Sequence, residues 1–96
     1  MNLRVSEEVR DLLRSLAPEP RRRLSLRLDA VEAGKALEPL EASLSGFYKV
    51  RSGRYRVVCA VRGDTVFALF ADEREMVYEV ASVALLESIL ERMQDD

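Results

Sequence analysis

The chain has 96 residues, 48% of them hydrophobic and 33% charged, which suits one small folded domain spanning 1–96 and excludes a disordered or fibrous chain. The longest apolar run, Val66 to Ala71, is too short to cross a bilayer, and the amino terminus lacks a signal-peptide layout, so a cytoplasmic protein with no membrane partner is expected. The net charge of −2 conceals a sorted distribution: residues 1–46 balance eight basic against eight acidic side chains, 47–63 carry five basic and none acidic, and 64–96 carry two basic against nine acidic.

Asn2 to Val5 is compatible with a short strand. Ser6 then suits a helix N-cap, with Glu7 and Glu8 complementing the positive end of the helix dipole. Val9, Leu12, Leu13 and Leu16 recur at helical spacing, and Pro18 is expected to end that helix. Pro20 suits the first position of a second helix, with Leu24, Leu28 and Val31 on one face and Gly34 at its end, so the two helices form a hairpin joined by Ala17-Pro18-Glu19. Lys35 to Gly46 reads as a connecting loop, with Leu40 and Leu44 available to the core.

The period then changes to two. Phe47 to Arg51 and Tyr55 to Arg62 flank Ser52-Gly53-Arg54 as a β-hairpin. On the second strand Tyr55, Val57, Cys59 and Val61 share one face, and Arg56, Val58, Ala60 and Arg62 share the other. Gly63-Asp64 turns into Thr65 to Ala71, apolar on both faces as in a buried strand, which completes an antiparallel meander. Met76 to Val80 reads as a further extended piece. Ser82 is placed to cap a last helix with Leu85, Leu86, Ile89, Leu90 and Met93 on one face. The expected fold is α+β: a small antiparallel sheet with an N-terminal helical hairpin and a C-terminal helix.

Lys49 and Arg51 leave the same face of their strand, and Arg56 lies just across the hairpin. Such crowded cations suit a phosphate, which neutralises them, or a charged strand edge that resists aggregation. Arg74 and Tyr78, four apart, can approach the same surface if the meander folds back. The run Arg21-Arg22-Arg23 fits a solvated helix start or a contact to a phosphate backbone. Cys59 lies between Val57 and Val61 on an apolar face, as a small hydrophobe would. One cysteine excludes an internal disulfide, and the lack of histidine excludes Ser-His-Asp triads, Cys-His pairs and histidine-ligated metal; no cofactor or metal is expected.

The segment Phe47-Tyr48-Lys49-Val50-Arg51-Ser52-Gly53-Arg54-Tyr55-Arg56-Val57-Val58, followed by the apolar strand from Val66 to Ala71 and by Arg74 with Tyr78, resembles the RelE/ParE superfamily of bacterial type II toxins over nearly the whole chain, with the RelE-like branch favoured. The resemblance implies a toxin held by a cognate antitoxin protein. It also implies an mRNA endoribonuclease acting on mRNA in the ribosome, in which a ribose 2′-hydroxyl attacks the adjacent phosphate without a metal. By the same resemblance the catalytic positions are Lys49, Arg51, Arg56, Arg74 and Tyr78: the two basic positions of the first strand, a phosphate-stabilising arginine, a general acid or second clamp, and an aromatic that orients the nucleotide. Clustered cations stabilise a pentavalent phosphorane, but guanidinium is too weak an acid to serve as a base near neutrality, which leaves Lys49 as the lysine base. The acidic overall balance suits equally a ParE-like DNA gyrase inhibitor, a binding toxin rather than an enzyme, or a catalytically decayed toxin. An antitoxin would find two receptive surfaces, the cationic strands from Lys49 to Arg62 and the apolar stripe of the last helix, and that stripe would otherwise pack on the sheet or mediate self-association.

Overall fold

In a computed structural model, which describes residues 1–73 and 76–95, the chain opens with strand β1 (Asn2–Val5) and then helix α1 (Glu7–Ser15). Ser6 makes the junction: its Oγ accepts from the Val9 N–H at 3.1 Å and donates to the Leu69 carbonyl at 2.7 Å. One buried hydroxyl therefore starts a helix and ties it to a distant strand.

Helix α2 runs Pro18–Glu32, two residues earlier than the sequence suggests. Pro18 opens this helix rather than ending the first, because a first-turn proline loses no helical hydrogen bond. The carbonyls at the end of α1 are taken by Arg21, whose Nε donates to Leu13 at 3.0 Å and whose Nη2 donates to Leu16 at 2.8 Å. Arg22 and Arg23 both pair with Glu19. Of the run, Arg21 ties the two helices together, while Arg22 and Arg23 pair within α2. Gly34, at φ 78°, closes α2 in the left-handed conformation, with Gly34 and Lys35 donating back to Val31 and Ala30.

The 35–46 connection contains a two-residue strand, β2 (Glu38–Pro39), where a loop was expected, and one 3-10 turn over Ala42–Leu44. Strands β3 (Tyr48–Ser52), β4 (Tyr55–Arg62) and β5 (Thr65–Glu73) form the expected antiparallel meander. The sheet order is β1-β5-β4-β3-β2, and β1 joins β5 in parallel, so the sheet is mixed at one edge rather than wholly antiparallel. Between Val58↔Phe70 and Cys59↔Ala68 the register shifts, leaving Leu69 as the extra residue of a bulge on β5. Leu69 and Phe70 consequently serve the same core layer.

Met76–Val80 is a short helix, α3, not an extended piece. Val77 and Ala81 are both buried and stand four apart, the spacing of one helical face, and the Ala81 N–H bonds to the Val77 carbonyl at 2.9 Å. Helix α4 (Val83–Gln94) starts at Ser82, whose Oγ accepts from the Leu85 N–H at 3.1 Å. The sheet is sandwiched. Helices α1 and α2 pack on Val50, Val57, Cys59, Val66 and Ala68, while α3 and α4 pack on Phe47, Val58, Ala60, Phe67 and Leu69. Leu86, Ile89, Leu90 and Met93 are therefore core, Leu85 is half-buried against them, and Leu40 and Leu44 join the same layer.

Candidate functional site

The two residues of β3 that face the α3/α4 side and remain outside the apolar layer are Lys49 and Arg51, because Tyr48 and Val50 point to the helical hairpin. In the β3–β4 register Arg51 stands directly opposite Arg56 and Lys49 opposite Val58. The three cations thus share one face of the sheet, as the alternation requires. Tyr78, on α3, is half-buried and packs on the same layer, which includes Val58 and Leu69. Arg74 lies outside the described residues.

What holds the cations is less open than the sequence suggests. Glu38 of β2 stands opposite Lys49 in register. Its Oε1 accepts from Arg51 Nε at 3.2 Å and Nη2 at 3.0 Å, and its Oε2 lies 4.0 Å from Lys49 Nζ. One carboxylate therefore bridges two of the three cations. Pairs this exposed contribute little to stability, since the Arg51 and Glu38 side chains are 50% and 39% accessible. Their effect is on field and geometry: the guanidinium is oriented and part of the positive charge is cancelled. Arg56 is oriented differently, with Nη1 donating to the Gly53 carbonyl at 2.8 Å and the Tyr55 carbonyl at 3.2 Å, so it clamps the hairpin turn beside the site. Asp72 faces Arg56 across β5.

The backbone of this hairpin is pinned from outside as well. Arg27 of α2 donates from Nε to the Arg51 carbonyl at 3.0 Å. Arg54, next to Gly53, lies 5.7 Å from the Tyr55 ring centroid and 4.0 Å from Glu73. Neither Glu38 nor Arg27 was a candidate from the sequence. Glu38 sits in a segment with no strand periodicity, and Arg27 is one of several arginines on an amphipathic helix, so no local signal marks either.

Cys59 is fully buried, and burial pushes its thiol up to about 12, which fits a packing residue and not a nucleophile. Among the described residues no cluster of His, Cys, Asp and Glu could hold a metal ion, and no helix is long and apolar enough to cross a membrane.

Chemically, the face offers a lysine ammonium, two guanidiniums and one carboxylate on the β3–β4 hairpin and its neighbour β2, a set suited to an anion such as a phosphodiester. No family model and no curated protein matches the chain. Two solved structures share its fold. A chain of the toxin–antitoxin complex RelBE2 from Mycobacterium tuberculosis aligns with a TM-score of 0.63 at 24% identity, covering 76% of this chain and 96% of that one. A chain of the RelB–RelE antitoxin–toxin complex from Methanococcus jannaschii aligns with a TM-score of 0.60 at 19% identity, covering 78% and 94%. The α+β architecture is therefore one also found in RelBE complexes.

Proposed function

We propose that the chain is the toxin of a type II toxin–antitoxin pair and that it cleaves mRNA on the ribosome by attack of a ribose 2′-hydroxyl on the scissile phosphate. The observation that carries this reading is the placement of Lys49, Arg51 and Arg56 on one sheet face, with Tyr78 packed against the same face. Two guanidiniums on adjacent strands suit the three equatorial oxygens of a phosphorane. Lys49 is the proposed base of the set. Tyr78 supplies an aromatic surface for a nucleotide, and Arg74 completes the proposed set as acid or clamp. The antitoxin would cover the cationic strands from Lys49 to Arg62, since the apolar stripe of α4 is spent on the core. Primer extension on translating ribosomes tests the activity: cleavage by the antitoxin-free protein and its loss in Arg56→Ala is the expected result, and no cleavage beside an active control toxin rejects it.

The Glu38 bridge favours a second reading, a ParE-like gyrase inhibitor or a decayed toxin, because it cancels charge where an RNA substrate needs it. Following which process stops first on expression, translation or replication, separates the two.

A further inference from the structure

A second cationic site lies at the other end of the sheet. Where the outer edge of β1 passes into α1, beside the end of α4, a recess of about 460 Å³ is lined by Arg4, Arg10 and Arg92 together with Val5, Glu7 and Met93. Its size falls in the usual range of small-ligand sites. Each guanidinium is held from one side. Arg10 Nη2 donates to the Val5 carbonyl at 2.8 Å, Arg92 pairs with Glu8, and Arg4 lies 5.6 Å from the Phe67 ring centroid. The Glu8 carboxyl is disfavoured by burial as an anion, but the Arg92 hydrogen bond, its own backbone and the Arg92 charge outweigh this and hold it below its ordinary value, so the pair stays ionised.

Three arginines meet two carboxylates here, Glu7 in the lining and Glu8 paired with Arg92, which leaves the recess positive in a protein whose net charge is −2. Like charges brought together in a recess repel unless an anion joins them, and a guanidinium fork matches the oxygens of a tetrahedral oxyanion. We infer that this recess is a phosphate-binding site. Its ligand is a phosphate group, either inorganic phosphate or the phosphodiester of a single-stranded RNA. Arg4, over Phe67, leaves the same sheet face as Lys49, but the two clusters are distinct, because β1 and β3 are three strand spacings apart in the sheet order, roughly 14 Å. It does not depend on the proposed nuclease activity.

The test is an amide-resolved NMR titration of the full chain with inorganic phosphate, with a short oligoribonucleotide and with an acidic peptide. Saturable shifts of the Leu3–Glu7 amides on adding phosphate are expected, weakened tenfold or more in both Arg4→Gln and Arg10→Gln and unchanged in Lys49→Gln. Arg10→Lys, which keeps the charge but not the fork, should fall between. Shifts with both phosphate and the oligonucleotide assign the phosphodiester as the source, and shifts with phosphate alone assign the free ion. The inference is overturned if phosphate leaves these amides unmoved, if the acidic peptide saturates them where phosphate does not, or if Arg4→Gln and Arg10→Gln, with well-dispersed spectra, bind as tightly as the parent chain.

Discussion

Glu38 Oε1 accepts two hydrogen bonds from Arg51, at 3.2 Å from Nε and 3.0 Å from Nη2, so a residue of the edge strand neutralises a cation of the candidate site. The same carboxylate reaches toward Lys49. Any anionic ligand on this face competes with Glu38.

That competition can be measured. Glu38→Gln keeps the shape and removes the charge, so oligoribonucleotide affinity should rise by roughly fivefold, the equivalent of about 1 kcal/mol for a partly exposed pair. The log–log salt dependence should steepen as well, since more uncompensated cations meet the phosphates. Unchanged affinity in a filter-binding or fluorescence titration would mean that nucleic acid does not engage this face.

Arg56 and Arg14 provide a matched comparison. Arg56 lies on the cationic face, whereas Arg14 is exposed on α1 and pairs with Asp11. Arg56→Ala should weaken RNA binding and lower the salt slope by about one unit or less, as expected for one lost phosphate contact, and Arg14→Ala should change neither. Equal effects would assign the island to a charged strand edge.

Ser6→Ala removes a helix cap and strands the Leu69 carbonyl in a buried setting. The cap is worth about 1 kcal/mol and a buried carbonyl left without its donor adds 1 kcal/mol or more, so a loss of roughly 2 kcal/mol is expected in urea denaturation. Ser82→Ala, a cap at an exposed serine, should cost about half as much.

Cys59 gives a pH prediction. Burial raises its folded-state value to about 12, above the unfolded thiol near 8.5. The linked stabilisation is therefore complete below about pH 8.5 and is lost as the pH rises toward 12. At pH 8 the native thiol should resist a disulfide reagent that modifies the urea-unfolded chain within minutes. Rapid native-state reaction would contradict its packing beneath the helical hairpin.

Gly53 occupies φ 58° at the centre of the β3–β4 turn, and its carbonyl receives Arg56. A Cβ there meets no neighbouring atom, so the penalty of Gly53→Ala is conformational, about 1 kcal/mol. A thermal melt several degrees lower, with the circular dichroism spectrum retained, is the expected result.

Where local pattern and tertiary packing demand the same thing, the sequence was legible. The helical stripe Val9-Leu12-Leu13-Leu16, the serine caps at 6 and 82, and the two-residue alternation of β4 all reappear, because periodicity and capping are properties of short segments. The grouping of Lys49, Arg51 and Arg56 on one face follows from strand alternation and a short hairpin, and needed nothing distant.

Tertiary structure decided the rest, for a physical reason. Met76–Val80 carries β-branched residues that suit a strand, yet burying Val77 and Ala81 together on the sheet requires a helix. β1 has too few residues to declare its partner, and only the distant β5 makes it a parallel edge. Glu38 comes to Lys49 and Arg51 through a two-residue strand without sequence signature, and Arg4, Arg10 and Arg92 meet across 88 residues of chain. Composition and periodicity determine which side chains leave a face together; which charges meet across elements depends on long-range pairing, to which a local pattern is blind.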